Sequence, residues 1–260
     1  MTFLSILIPS WNALDAITLC IESILKRTKY FGFEIIVLDS SDEDSDTRQY
    51  LQMQRCAGNI ELFAHNGRLR HGEALTLLFG LCNSKFAVIL DSDVEILDSM
   101  WLQKLTQKIK TNKDLGIGHL RPNANYPKTG TFRTPAFHPF CFLINMDAYY
   151  EFGIHDKDWK EKFIHISQYK YKDEFIFFNP ELKRIHYETG SRFTERVLFE
   201  NPQGYRVHGF PKGFIRRVNP FLGSIYHFEG MSAHSHILHG DMMKSRIKLL
   251  QERLQKLKNE

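Results

Sequence analysis

The chain has 260 residues, 43% of them hydrophobic and 25% charged, with a formal net charge of +4. That length and apolar content allow one full α/β core, or one core with an appended lobe, and exclude disorder as the main state. The charge is too small to indicate nucleic acid by itself, and no segment approaches the roughly 18 apolar residues of a membrane span.

The four cysteines, Cys20, Cys56, Cys82 and Cys141, lack the C-x-x-C spacing of a zinc ribbon or redox pair, so a reducing, cytosolic setting is the simpler expectation. The first apolar run, Phe3 to Ile8, has no basic flank and is stopped by Pro9, which reads as a strand rather than a signal peptide. Leu14, Ile17, Ile21 and Ile24 then recur at spacings of 3, 4 and 3, one apolar face of a helix. Glu34 to Asp39 reads as a second strand, the acidic, Ser-rich stretch Ser40 to Asp46 as a loop, and Tyr50, Leu51 and Met53 as part of a short helix. A third strand is expected at Ile60 to Ala64, a helix at Gly72 to Cys82, and a fourth strand at Phe86 to Leu90. Such alternation predicts a mostly parallel sheet flanked by helices.

Past Asp93 the pattern loosens. A helix at Trp101 to Lys110 and a strand at Gly116 to Leu120 precede a Pro/Gly-punctuated stretch, Pro122 to Pro139, followed by a strand at Phe140 to Asn145 and a short helix from Asp147. The following region, up to His239, is aromatic and basic. Between Lys183 and Arg217 eight basic residues face three acids, which suits either a phosphorylated ligand or a solvated basic surface. The tail, Asp241 to Glu260, is helical, with Ile247, Leu250, Leu254 and Leu257 at spacings of 3, 4 and 3 among basic residues. Such a seam packs on the domain, pairs with a second copy, or rests on an anionic membrane face.

The chemistry concentrates where strands end. Asp91-Ser92-Asp93 directly follows the run Phe86 to Leu90, so two carboxylates are delivered at the carboxyl end of a buried strand. Ligands of open α/β sheets bind at that edge, and paired oxygen donors there suit a hard divalent cation that also holds phosphate oxygens. Pro9 ends the first strand where Ser10, Trp11 and Asn12 can line a crevice, the indole offering stacking area. Asp39, at the second strand's end, can accept from a base imide or a ribose hydroxyl. Gly67 and Gly72 bracket Arg68, Arg70 and His71 just before a helix, placing cations and backbone N–H groups where a phosphate can rest. The segment matches neither a P-loop nor G-x-G-x-x-G, which argues against an NAD-type site. His234, His236 and His239 form an H-x-H-x-x-H run unlike the usual zinc spacings, and it reads as a surface feature.

The order of these motifs resembles the family 2 glycosyltransferases of GT-A fold, over roughly residues 3 to 235. Ser5 to Asn12 is similar to that family's opening strand and Pro-x-aromatic-Asn turn, and Glu34 to Ser41 to its second strand. Asn66-Gly67 through His71-Gly72-Glu73-Ala74 to Asp91-Ser92-Asp93 is similar to its helix start and metal-binding Asp-x-Asp. Tyr187-Glu188-Thr189-Gly190 and His227-Phe228-Glu229-Gly230-Met231-Ser232 resemble its acceptor-side and late His elements. The resemblance implies a nucleotide-sugar-binding half at 1–95, an acceptor-binding half of the same domain at 96–240, and an appended amphipathic helix at 241–260. It implies a donor site at Pro9, Ser10, Trp11, Asn12, Asp39, Arg68, His71, Gly72, Asp91 and Ser92, and a Mn²⁺ or Mg²⁺ ion held by Asp93 with Asp91 and His227, His227 being assigned to either metal or diphosphate. It further implies Glu188 as the base of an inverting transfer to a glycan or other hydroxyl acceptor. Glu stands there where the family more often has Asp, and Asp156 and Asp158 are the reserve carboxylates. The donor's nucleotide (UDP, dTDP or GDP) and sugar stay open. A cell-surface polysaccharide product, a cytoplasmic or inner-membrane-face location, and a homodimer or peripheral membrane contact through the tail helix complete the expectations; nucleic acid is not an expected partner.

Two other readings are compatible with an acidic pair on such a sheet. A nucleotidyltransferase would carry a Gly- and Arg/Lys-rich triphosphate loop near the first strand, and Pro9 to Leu14 is no such loop. A non-catalytic module that binds a sugar nucleotide or a glycan would keep its affinity after loss of Asp93.

Overall fold

Four apolar runs alternate with helices and become β1 (Leu4–Ser10), β2 (Phe33–Asp39), β3 (Glu61–Ala64) and β4 (Phe86–Leu90). The computed structural model describes residues 3–30, 32–121, 124–126, 131–133, 136–153, 176–177, 184–186, 193–194, 197–198, 201, 203–212, 214–215, 223–228 and 241–260. Further strands are β5 (Val94–Ile96), β6 (Asp114–Arg121), β7 (Ala124–Tyr126), β8 (Thr131–Arg133), β9 (Ala136–Asn145), β10 (Ile176–Phe177), β11 (Arg184–His186), β12 (Arg206–Gly209) and β13 (Ile225–His227). The helices are α1 (Leu14–Arg27), α2 (Asp46–Cys56), α3 (His71–Leu81), α4 (Trp101–Thr106), α5 (Met146–Gly153) and α6 (Asp241–Asn259).

A seven-stranded sheet in the order β12-β6-β9-β4-β1-β2-β3 forms the centre. Its β4-β1-β2-β3 half is parallel throughout, and β9 runs antiparallel to both β4 and β6. Both faces are covered, which explains why the central strands read as unbroken apolar runs. The period of two sends Leu4, Ile6 and Ile8 of β1 into a core with Ile17, Ile21 and Ile24 of α1, while Leu7 joins Leu75, Leu78 and Phe79 of α3 on the other face. The α1 helix is buried on two sides, because Ala16 and Leu19 turn away from the sheet and pack with Leu250 and Leu257 of α6.

The second half of the chain departs from the sequence expectations at several points. The stretch expected to be irregular contains β7 and β8, and β9 begins at Ala136, so that Pro139 lies inside a strand. A register shift between Gly118 and His119 opposite β9 accommodates it, a bulge being one of the few places where a sheet tolerates proline. The helix expected to reach Lys110 stops at Thr106. The glycines of β6 answer a packing demand: a Cβ at Gly118 would lie 2.2 Å from Cδ2 of Phe142, and one at Gly116 would lie 2.4 Å from the Leu143 carbonyl oxygen. The tail seam is occupied within the chain, against α1 and Phe228, while Lys244, Lys248, Lys256 and Lys258 remain exposed. Among the described residues no helix is long and apolar enough to cross a membrane.

Candidate active site

The parallel register aligns Ser10, Asp39 and Ala64 across β1, β2 and β3, and pairs Leu7 with Ile89 so that Asp91 emerges from β4 at the same carboxyl edge. The chain leaves β1 through Trp11 and Asn12. Asn12 has φ 42°, a left-handed conformation that asparagine tolerates better than most residues. It is fixed by its N–H donating to Ser41 Oγ at 2.8 Å and its Nδ2 donating to Asp42 at 3.0 Å. The half-buried Trp11 ring carries the Arg68 guanidinium 3.8 Å from its centroid, so an aromatic platform and a cation meet at this edge. Gly72 is buried in the first turn of α3, and Ser92 is buried between the two aspartates.

Asp39 lies beneath this rim. Its carboxylate is fully buried, accepts from Ser41 Oγ at 2.6 Å, and pairs with the Arg48 guanidinium, itself only 4% exposed. Arg48 also donates to the carbonyl oxygens of Ser41 at 2.8 Å and His65 at 3.3 Å. One side chain from the first turn of α2 therefore ties together the loops that follow β2 and β3. The sequence reading missed Arg48, because nothing in a helix-start sequence signals a partner buried beneath a neighbouring strand end.

The acidic pair is shaped by a local turn and a distant strand. The Val94 N–H donates to the Asp91 carbonyl at 3.3 Å, and the chain re-extends as β5, which pairs antiparallel with β13 so that Val94 faces His227. The Phe228 N–H donates to the Asp93 carbonyl at 3.0 Å. As a result His227 Nε2 lies 3.2 Å from Asp93 Oδ1 and 3.8 Å from Asp91 Oδ2. One ligand atom each from Asp91, Asp93 and His227 fall within 4.8 Å of one another. Two carboxylates and one imidazole at this spacing form a donor set suited to a divalent cation with oxygen preference. Phe140 of β9 stacks on the His227 ring at 4.6 Å and 7°, and His138 meets it edge-on at 5.7 Å, so the imidazole plane is set by aromatic packing.

His71, at the start of α3, completes the group, its Nε2 3.2 Å from Asp91 Oδ1. Burial pulls its imidazolium toward deprotonation, but the Asp91 carboxylate, seconded by Asp93, outweighs burial and holds the group above its ordinary value. The thiols of Cys20 and Cys141 lie behind the pair and are pushed up, first by burial and then by Asp93 and Asp91 at Cys20 and by Asp91 alone at Cys141, so they stay neutral. Of the residues singled out in the sequence, Asp91, Ser92, Asp93, His227 and His71 are brought together. Ser10, Trp11, Asn12 and Arg68 line the same edge beside them. Glu188, the reserve carboxylates Asp156 and Asp158, and the histidines at 234, 236 and 239 lie outside the described residues.

Residues 5–169 match the family described as glycosyl transferase family 2. An uncharacterized protein, y4gI of Sinorhizobium fredii, is 23% identical over 124 residues, covering 47% of this chain and 13% of that protein. The Escherichia coli UDP-Glc:alpha-D-GlcNAc-diphosphoundecaprenol beta-1,3-glucosyltransferase WfgD is 26% identical over 131 residues, 50% of this chain and 51% of the relative. The matched region thus spans 13% of the first relative's length and about half of the second's. Among solved structures, the galactosyltransferase LgtC in complex with donor and acceptor sugar analogs superposes with a TM-score of 0.55 at 13% identity, covering 97% of this chain and 95% of that one. At that identity the likeness is one of fold, and the fold is the GT-A arrangement of a mostly parallel sheet between helices.

Proposed function

Because the chain belongs to glycosyl transferase family 2, we propose that it moves a sugar from a nucleotide-sugar donor to an acceptor hydroxyl with inversion, at the carboxyl edge of its sheet. The observation that carries the reading is the convergence of Asp91, Asp93 and His227 on one point of that edge. Their donor set fits Mn²⁺ or Mg²⁺, whose role when bound is to neutralise charge developing on the departing diphosphate. The chain's own residues do the remaining work. Trp11 offers its ring to the nucleotide base, and Asp39, with the loop it organises through Arg48, shapes the base and ribose pocket. Arg68, His71 and the first N–H groups of α3 face the phosphates. Glu188 takes the proton from the acceptor hydroxyl, which frees the oxygen to attack the sugar carbon opposite the leaving group.

In this reading residues 1–95 hold the donor and 96–240 the acceptor. A UDP-linked donor and a sugar acceptor carried on a lipid diphosphate are supported by the name of the WfgD relative, a beta-1,3-glucosyltransferase from UDP-Glc to alpha-D-GlcNAc-diphosphoundecaprenol. Catalysis then takes place at the cytoplasmic side of the membrane, with the exposed lysines of α6 as the surface available to anionic lipid.

The test is a panel of UDP-, dTDP- and GDP-sugars incubated with the protein and Mn²⁺ or Mg²⁺, read as nucleotide release and thermal shift. One donor is expected to give turnover that Asp93→Ala abolishes and that Glu188→Gln lowers by about 100-fold to 10,000-fold. Absence of release, transfer and thermal shift with every donor would remove the proposal.

A further inference from the structure

The C-terminal helix reaches the cation-binding edge through a carboxylate that the proposed chemistry does not use. Glu95 is the middle residue of β5, two positions after Asp93, and is fully buried. Its neighbours Val94 and Ile96 point into the core under α1, and strand alternation sends Glu95 the other way. There Arg253 of α6 grips it bidentately, Nε to Oε2 at 2.8 Å and a terminal nitrogen to Oε1 at 2.6 Å. Arg27, at the end of α1, donates to Oε1 at 2.9 Å and to the Ile96 carbonyl at 2.7 Å, and reaches Glu260 at 2.5 Å. Ser23 Oγ accepts from the Ile96 N–H at 2.9 Å. On the same side Leu250 and Leu257 of α6 pack in one cluster with Phe228, the residue after His227.

A ribbon of two strands, three residues each, has too few ladder bonds to fix its own position. Yet this ribbon sets how far His227 stands from the two aspartates. Its outer edge is held by α1, and α6 holds both strands at once, one through Glu95 and the other through Phe228. We propose that Glu95 and Arg253 are positioning residues for the cation site, and that α6 is the strut that keeps His227 in register with Asp91 and Asp93. The inference rests on the reading of those three residues as cation ligands. A charge buried in this way is held by fork-to-fork geometry, which a lysine cannot reproduce.

The experiment is Mn²⁺ titration of the full chain without nucleotide, followed by calorimetry, with amide hydrogen exchange on the same samples. The wild type is compared with Asp93→Ala, Arg253→Met, Arg253→Lys and Asp114→Asn. Asp114 sits at the amino end of β6, on the opposite edge of the sheet, so its substitution is a control for lost stability. Arg253→Met is expected to weaken Mn²⁺ binding about tenfold and to speed exchange at the Phe228 N–H, with Arg253→Lys between it and the wild type. Asp114→Asn should keep Mn²⁺ affinity within about twofold of wild type. Should Arg253→Met fail to fold, Leu250→Ala loosens the same helix and is expected to weaken Mn²⁺ in the same direction. A folded Arg253→Met or Leu250→Ala that binds Mn²⁺ like the wild type overturns the strut. A wild type that does not bind Mn²⁺, or an Asp93→Ala that binds it unchanged, overturns instead the cation reading on which the strut depends.

Discussion

Replacing Arg48 with methionine isolates what the buried guanidinium contributes, because the change keeps the apolar stem and removes the charge. Asp39 has no exposed surface and relies on Arg48 for one carboxylate oxygen, while the Ser41 hydroxyl and N–H serve the other. Breaking a buried pair from one side typically costs about 3 to 5 kcal/mol, because an uncompensated charge is left in a dry site. The carbonyls of Ser41 and His65 lose a donor as well, which places the expectation in the upper part of that range. For a chain of this size each kcal/mol corresponds to roughly 2 to 4 °C, so a loss of about 4 to 5 kcal/mol should lower the melting temperature by about 8 to 20 °C. Urea denaturation of wild type, Arg48→Met and the double variant Asp39→Leu/Arg48→Met provides the assay. The double variant should recover at least about half of the loss, since removing both partners also removes the stranded charge. An Arg48→Met loss below about 1 kcal/mol, or a double variant less stable than the single, would refute the account of this rim as an ion-pair-organised structure.

Gly118→Ala should destabilise by about 1 to 3 kcal/mol in urea, because its methyl would enter the Phe142 ring, which Phe137 at 5.6 Å and Phe193 at 5.8 Å hold in place. Phe142→Leu in the same background should relieve part of that loss. Asp114→Asn should cost about 2 to 3 kcal/mol at neutral pH, since the carboxylate is almost wholly buried and accepts from His208, Arg206 and the N–H groups of Lys110 and Thr111. Burial alone would raise this carboxyl, but His208 and the two backbone donors prevail and hold it far below the usual carboxylate range. Its stabilisation is therefore fully present above pH about 4 and is lost as the pH falls toward the folded value, so the gap between wild type and variant in acid-titrated melting curves should shrink below that point.

Much of this architecture was legible in local pattern. Val88, Ile89 and Leu90 form an unbroken apolar run ended by Asp91, and a strand buried on both faces leaves few other sequences possible; the carboxyl edge follows from where Pro9, Asp39 and Asp91 interrupt their runs. The 3-4-3 spacings of α1 and α6 likewise announce their apolar faces. The spacing in α6 does not say what that face touches, and the structure places it against α1 and Phe228. Pro139 ends a Pro/Gly-punctuated stretch in the sequence, where a proline argues against a central strand, and only the bulge opposite Gly118 and His119 lets β9 run through it. The glycines of β6 carried no message until Phe142 was seen lying across them.

Local pattern was enough to establish the alternation of strands and helices, the edge at which they end, and the acidic pair delivered there, since each depends on a periodicity of two or 3.6 residues or on a local interruption. Long-range packing chose which charges meet: Arg48 under Asp39, Arg253 on Glu95, and His227 beside Asp93. These pairs lie 9, 158 and 134 residues apart in the chain, and two of them join elements that touch only after the sheet has formed. A buried charge takes its partner from whatever packing brings within reach, and that neighbourhood is a property of the folded whole rather than of any stretch of sequence.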